Sequence, residues 1–214
     1  MAVERVLLVR HGETDWNAQG KWQGFEPTAL NEKGRQQAQA LAEYLRGRPI
    51  KAVYASDLPR AWETATIISE ALGLTAHQDE RWREHHLGIF QGLTLAEITA
   101  TYAREWESWR TEYYTYEIPK GESRNMLIAR AHAAWEMCVS TNGDADVEEI
   151  AIVTHGGTIR ALLLKLFEAR IADVQATHIR NTSITTIERR EDGWHLLEIS
   201  ATPHLSDVVN RDSL

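Results

Sequence analysis

Two apolar runs with the same ending constrain this chain most strongly. The run "VLLV" at residues 6–9 is followed by "RHG", and "IAIV" at residues 150–153 is followed by "THGG", so His11 and His155 each end a buried strand. In an open α/β sheet, ligands bind beyond the carboxyl ends of the strands. The glycines permit sharp turns, and the free N–H groups of a following helix would face an anion. The repeated ending therefore predicts one anion-binding site at a sheet edge.

The rest of the chain alternates apolar runs with helical periodicity. Residues 29–49 place apolar side chains on one helical face and stop at Gly47. A strand is predicted at 52–56, followed by a helix that Ser56 or Asp57 caps and Gly73 ends. Further helices are predicted over 95–109, begun by Thr94 and Glu97, over 123–141 and over 157–168. The remaining elements are a strand at 149–155 and a hairpin over 183–200 that turns at Asp192-Gly193.

This alternation predicts an α/β fold with three layers, α/β/α, around a mostly parallel central sheet. The 214 residues are enough for one domain that spans 1–214. A helical and aromatic insertion at about 94–122 interrupts the alternation. As a hypothesis, this insertion caps the active site.

Composition excludes several classes of protein. The net charge of −8 argues against nucleic acid and anionic membranes as partners, because both require a basic surface. No apolar run approaches the ~20 residues of a membrane span, and the N-terminus lacks an export signal, so we expect a cytoplasmic protein. The single cysteine, Cys138, excludes an internal disulfide and suits a helix packed in the core. Monomer and homodimer both remain open.

Arg10 adds a planar guanidinium beside the first histidine, and this group can bind phosphate through two hydrogen bonds. A single histidine after a strand is commonly an ordinary loop residue. On these residues alone, a structural role and a functional role both stay open for His11 and His155.

Several further segments share one resemblance. "LVRHGETDWN" and "VTHGGTIRALL" resemble the two hallmark segments of the histidine phosphatase superfamily, in its phosphoglycerate-mutase-like branch. The resemblance continues, in the expected order, through "QG" at 23–24, "SDLPRAWETA" at 56–65, "DERWREHHLGIFQG" at 79–92, "GES" at 121–123 and "NTSI" at 181–184.

The resemblance implies a mechanism. His11 would be the nucleophile that forms a phosphohistidine, with its other ring nitrogen held by a backbone carbonyl. Arg10, Arg60 and His155 would form the phosphate pocket, His155 acting as a cation or a hydrogen-bond donor. Glu84 would protonate the leaving alcohol and then activate water.

The resemblance also implies that Asn17, Gln23 and Gly24 contact phosphate or substrate and that Gly156 contributes its backbone N–H. The expected substrate is a small phosphorylated metabolite, and no metal or cofactor is expected. His85 and His86 are adjacent, so they are poorly placed to bind one ion together, and we expect them to orient their loop or face solvent.

Three functions remain open. A phosphomonoesterase is favoured over a bisphosphate-dependent phosphoglycerate mutase, because "HHLGIFQGLT" stands where such mutases carry a tyrosine-glycine segment. A non-catalytic binder of phosphorylated ligands is the third alternative. The sequence "FEPTAL" at 25–30 and Gln91 depart from common patterns, and we expect both to shape the rim of the pocket.

The aromatic segment at 101–119 offers candidates for substrate choice. Tyr102 and the tryptophans Trp106 and Trp109 share one helical face, which favours ordinary core packing. As a hypothesis, the loop tyrosines line a lid over the phosphate pocket; they are Tyr113, Tyr114 and Tyr116.

Overall fold

The computed structural model describes residues 3–141 and 148–205. Six strands form one sheet in the order β3-β2-β4-β1-β5-β6. The strands are β1 (Arg5–Arg10), β2 (Ile50–Ala55), β3 (Ala76–Gln78), β4 (Glu149–Thr154), β5 (Ile184–Arg190) and β6 (Gly193–Ala201). The pairs β1/β4, β2/β4 and β2/β3 are parallel, and the pairs β1/β5 and β5/β6 are antiparallel. The predicted mostly parallel α/β sheet is confirmed.

Eight α-helices lie in the described residues. They are α1 (Asp15–Ala18), α2 (Glu32–Leu45), α3 (Pro59–Leu72), α4 (Leu95–Thr101), α5 (Ala103–Thr111), α6 (Arg124–Thr141), α7 (Gly156–Leu166) and α8 (Ile171–Ala176). None of the helices in residues 3–141 and 148–205 is both long and apolar enough to cross a bilayer.

Alternation along β1 produces the three layers. Val6 and Leu8 pack into a core with Trp135 of α6 and Leu162 of α7. Leu7 and Val9 face the other side, where they pack with Leu41 of α2 and with α3. Successive side chains of a strand point to opposite faces, so a continuously apolar strand requires helices on both sides. Because helices cover both faces of β1, the carboxyl end of this strand is the open edge at which a ligand can bind.

Two local predictions about helix termini differ in outcome. Thr94 and Glu97 form the predicted capping box at the start of α4. The predicted cap of α3 is wrong, because its N-cap residue is Leu58 and makes no side-chain hydrogen bond. Ser56 instead contacts His155, and Asp57 pairs with Arg83 at 2.5 Å, so both candidate capping groups are engaged elsewhere.

The single helix predicted over 95–109 is also wrong. The helical segment breaks at Tyr102, which has φ −127° and ψ 41° and separates α4 from α5. The Tyr102 ring packs against Phe90 with centroids 6.2 Å apart, in a separate cluster that includes Trp106 and Trp109. Core packing was the role expected of these aromatic residues. The break in the helix coincides with this packing, and helical periodicity alone did not predict it.

Candidate active site

The two histidines that end neighbouring strands lie side by side. Arg10 pairs with Thr154 at the carboxyl ends of β1 and β4, and the His11 backbone N–H donates to the Thr154 carbonyl at 3.0 Å. The ring centroids of His11 and His155 are 5.1 Å apart. Only 2% of His11 and none of His155 is exposed. The strand register therefore brings both imidazoles to one point.

The hydrogen bonds of His11 orient its ring. Nδ1 lies 2.7 Å from the Gly12 carbonyl, which can only accept, so Nδ1 carries the proton and donates. Nε2 then holds a lone pair, which accepts from Nε of Arg60 at 3.3 Å. Burial, together with the positive charges of Arg60 and Arg10, holds the pKa of His11 well below its usual value. His11 is therefore neutral at pH 7 and can act as a nucleophile through Nε2.

Two arginines supply the positive charge of the site. Arg60 is fully buried in α3 and donates to the carbonyls of Gly24 and Glu26 at 2.8 and 2.9 Å. Burial lowers the pKa of Arg60 to about 10, which leaves it charged at pH 7. Arg10 donates to the Ile179 carbonyl at 2.6 Å, and its Nε is buried without a partner among the described residues. Cations away from bulk solvent that bond only to neutral groups are typical of a site for an anion.

Glu84 enters the site from the loop after the 3₁₀ turn Glu80–Trp82. Its Oε2 accepts from the backbone N–H of Gly157 at 3.1 Å, at the start of α7, and its Oε1 accepts from the N–H of His85 at 2.8 Å. A Cβ atom at position 157 would overlap the Glu84 carboxylate, so the second glycine of "HGG" is what lets the carboxylate approach the helix terminus.

His155 is the N-cap residue of α7, and its Nε2 lies 2.9 Å from the hydroxyl of Ser56. Burial and the charge of Arg60 hold the pKa of His155 well below its usual value. Of the two predicted roles, this low pKa favours the hydrogen-bond donor over the cation, because a second buried charge beside Arg60 is unfavourable. The donor role stays a prediction.

The predicted polar contacts lie beside His11. Asn17 accepts at Oδ1 from the backbone N–H of Thr14 and from Nδ2 of Asn181, at 3.2 Å in both cases. Gln23 accepts at Oε1 from the hydroxyls of Thr14 and Thr28. Because both oxygens accept from protein donors, each amide group is fixed in orientation. The sequence analysis gave Asn181 no role, although this residue lies in the "NTSI" motif. In the structure, Nδ2 of Asn181 also donates to the His11 carbonyl at 3.0 Å.

Gln91 shapes the loop that holds Arg60. Its Oε1 accepts from the N–H of Phe25 at 2.9 Å, and its Nε2 donates to the carboxylate of Glu26 at 3.1 Å. Gly24 has φ +53°, and a Cβ there would overlap the Gln91 side chain. A glutamate at position 91 could not donate to Glu26, so the amide found here suits this particular loop.

These residues border a cavity of about 470 Å³. Most of the predicted site residues line it: Arg10, His11, Asn17, Gln23, Gly24, Arg60 and Glu84. His155 and Gly156 are not among the residues that line it, whereas Gly157 is. The phosphate contact predicted for the Gly156 N–H stays a prediction, because the N–H of Gly157 donates to Glu84.

The loop tyrosines separate in the structure. Tyr113 lines the cavity together with Trp109. Tyr114 is 39% exposed and borders a neighbouring groove, while Tyr116 packs against the cluster around Phe90. Only Tyr113 is placed to contact a ligand, and a lid formed by all three stays a prediction.

His85 and His86 both bond to nearby backbone, so they orient their loop as expected. Nε2 of His85 lies 3.0 Å from the Glu122 carbonyl, and Nδ1 of His86 accepts from the N–H of Gly88 at 3.3 Å. Within residues 3–141 and 148–205, no three His, Cys, Asp or Glu side chains are grouped so that they could hold a metal ion.

Arg130 fixes the loop that carries Glu84, and sequence reasoning missed it. From α6 it donates to the carbonyls of Arg81, Arg83 and Glu84 at 2.9, 2.5 and 2.5 Å. It also forms an ion pair with Glu122 at 2.6 Å. A helical arginine seven positions after "GES" carries no local signal of this role.

Replacing Arg130 with methionine is expected to lower the free energy of unfolding by about 3 kcal/mol, because Glu122 and three carbonyls lose their donor in a largely buried place. Urea denaturation measures the change. The matched control is Arg110→Met, which removes an exposed pair with Glu107 and should cost less than about 1 kcal/mol. Equal effects of the two changes would contradict the clamping role.

The buried histidines also predict how stability depends on pH. The pKa of His11 and of His155 is lower in the folded than in the unfolded protein, so the unfolded state binds more protons below pH 6.5. The free energy of unfolding should therefore fall as pH drops from 7 to 5.5, by up to about 1.4 kcal/mol per pH unit for each histidine. His11→Gln should flatten this slope, and urea denaturation across this pH range measures it. An unchanged slope would refute the assignment.

A sheet edge at which a neutral buried histidine lies with the buried Arg60, the half-buried Arg10 and a carboxylate is suited to binding a phosphoryl group. The chain belongs to the histidine phosphatase superfamily (branch 1), whose family model matches residues 6–202.

Named relatives divide between two activities. The chain is 38% identical to phosphoglycerate mutase-like protein 4 of Arabidopsis thaliana over 95% of its length and 87% of the relative. It is 33% identical to the probable phosphoglycerate mutase GpmB of Yersinia pestis, with 98% of each chain covered. The structure of a mycobacterial glucosyl-3-phosphoglycerate phosphatase with VO3 superimposes with a TM-score of 0.80 at 34% identity, covering 93% of this chain and 100% of that one. The relatives thus support a phosphatase or mutase activity.

Proposed function

We propose that this protein is a metal-independent phosphomonoesterase that hydrolyses small phosphorylated metabolites through a phosphohistidine on His11. One observation carries the proposal: Nε2 of His11 is unprotonated and lies at a cavity lined by Arg10, Arg60 and Glu84. A neutral imidazole nitrogen beside two guanidinium groups is a nucleophile adjacent to a binding site for the phosphoryl oxygens.

In the first step, Nε2 of His11 forms a bond to phosphorus while the bond from phosphorus to the ester oxygen breaks. Glu84, in its protonated form, gives its proton to the departing alcohol oxygen. Donation from Nδ1 to the Gly12 carbonyl stabilises the positive charge that the ring acquires. Arg10 and Arg60 neutralise charge on the phosphoryl oxygens as it develops.

In the second step, the Glu84 carboxylate takes a proton from water as the water oxygen attacks phosphorus. The bond from phosphorus to Nε2 breaks, phosphate leaves and His11 returns to its neutral form. The bonds from Gly157 and His85 to Glu84 hold its two oxygens near the site in both steps.

The relatives named as phosphoglycerate mutases favour mutase activity as the second candidate. A mutase would transfer the phosphoryl group back to an alcohol instead of to water. A binder that lacks catalysis is the third candidate, and it would release no phosphate from any ester.

Phosphate release from p-nitrophenyl phosphate with excess chelator separates these candidates. Turnover that resists the chelator supports the proposed phosphomonoesterase. Conversion of 3-phosphoglycerate to 2-phosphoglycerate that requires a bisphosphate, without net phosphate release, would replace it with the mutase. Inactivity in both assays would leave only the third candidate, a binder of phosphorylated ligands that lacks catalysis.

A further inference from the structure

The cavity continues beyond the residues that the reaction uses, and this outer part is cationic. Among the described residues that line it, Glu84 is the one carboxylate. The lining also holds five cationic side chains: Arg10, Lys21, Arg60, Arg124 and Arg160. Arg10 and Arg60 suffice for one phosphoryl group, so Arg124, Arg160 and Lys21 have no part in the proposed reaction.

Arg160 is the best placed of these additional cations. Its Nη2 donates to the Thr177 carbonyl at 3.0 Å, and its Nε is buried without a partner among the described residues. Arg124 lies nearby, stacked on the rings of Trp109 and Tyr113 at 3.6 and 3.8 Å. Both guanidinium groups bond to neutral carbonyls, and no carboxylate within residues 3–141 and 148–205 forms an ion pair with either.

The position of Arg160 sets the distance between the two charged regions. Gly157, Arg160, Ala161 and Leu164 all line the cavity, so one face of α7 forms its wall. Arg160 lies three residues after Gly157, which corresponds to about 4.5 Å along the helix axis. Because Gly157 bonds to Glu84, the backbone of Arg160 lies about one helical turn from the residue that holds the acid.

We propose that Arg160 binds a second anionic group in the leaving alcohol, with Arg124 and the His178 side chain beside it. The favoured substrates are then phosphomonoesters with a carboxylate or a second phosphate a few bonds from the ester oxygen. This inference rests on the proposed function for the identity of the reacting end. A cation that bonds only to a neutral carbonyl gains from an anionic ligand, because the ligand offsets its repulsion with the other arginines.

Three probes with the same three-carbon skeleton test the proposal: glycerol 3-phosphate, 3-phosphoglycerate and glycerol 1,3-bisphosphate. They differ at the far carbon, which carries a hydroxyl, a carboxylate or a phosphate. Binding is measured by calorimetry on His11→Ala, which prevents turnover. We expect at least one anionic probe to bind about tenfold or more tightly than glycerol 3-phosphate, and the better of the two identifies the anion.

The advantage of the anionic probe should disappear in His11→Ala/Arg160→Met and return in part with Arg160→Lys, which keeps the charge. Arg180→Met is the matched control, because Arg180 is exposed, has the same charge and does not line the cavity. Equal binding of all three probes, or an advantage that survives Arg160→Met, overturns the subsite. An equal loss of this advantage with Arg180→Met would assign the effect to the electrostatic field of the whole protein, and it would also overturn the subsite.

The proposed function and the proposed subsite can be refuted independently of each other. If the intact protein releases no phosphate from p-nitrophenyl phosphate or any of the three probes, the phosphomonoesterase is refuted, while the binding comparison still decides the subsite. If the intact protein is active and the probes bind equally, only the subsite is refuted.

Discussion

Replacing His11 with alanine is expected to reduce phosphate release by on the order of 10⁴-fold or more, because it removes the atom that bonds to phosphorus. The ring is oriented by the Gly12 carbonyl and by Arg60, and Asn17 or Gln23 could not replace it, since an amide nitrogen is not nucleophilic. The rate with p-nitrophenyl phosphate in excess chelator measures the loss.

The matched control for this change is His86→Ala. His86 lies on the loop next to the site, where its ring accepts from the N–H of Gly88 at 3.3 Å and packs at a tilt against Phe25, with ring centroids 4.4 Å apart. Its loss should cost far less activity. If His11→Ala keeps more than a hundredth of the activity while folded, another group is the nucleophile.

Replacing Glu84 with glutamine is expected to separate two kinds of substrate. An alkyl phosphate needs a proton on its leaving oxygen, so its hydrolysis should fall by about 10²–10⁴-fold. The p-nitrophenolate ion leaves without a proton, so the first step with p-nitrophenyl phosphate should remain fast. The second step loses its base, and we expect a burst of one equivalent of p-nitrophenolate followed by slow turnover.

Stopped-flow absorbance measures the burst, and phosphate release from an alkyl phosphate measures the other loss. Glu80→Gln is the matched control, because Glu80 lies in the same segment with a side chain that is 74% exposed. It should change neither rate. Loss of the fast p-nitrophenolate burst, to the same extent as the loss on the alkyl ester, would show that Glu84 supports the fold or binding and does not transfer a proton.

The sheet could be predicted because its signals are local and strong. Four apolar residues in a row at 6–9 and again at 150–153 require helices on both faces, and the structure supplies them. The β3 strand was missed because its three residues, "AHQ", are mostly polar and gain strand structure only by pairing with β2. The break at Tyr102 was missed because it depends on contacts with Phe90, which is distant in sequence from α5.

The centre of the site could also be predicted, since each of its residues follows a strand or belongs to a motif. The protonation state of His155 could not, because it depends on complete burial beside Arg60. The contacts of Arg130 and Arg160 could not either. Both are arginines on helices, and in the sequence nothing distinguishes an arginine that clamps carbonyls or faces a cavity from one in solvent.

The phosphoenzyme itself tests the central claim most directly. Glu84→Gln is mixed with p-nitrophenyl phosphate, quenched in alkali, in which phosphohistidine survives, and digested for peptide mass spectrometry. The account predicts one phosphoryl group per chain on His11 in the peptide that contains "RHG", and none in Glu84→Gln/His11→Ala. A phosphoryl group on another residue, or none during turnover by a chain that still releases phosphate, would contradict it.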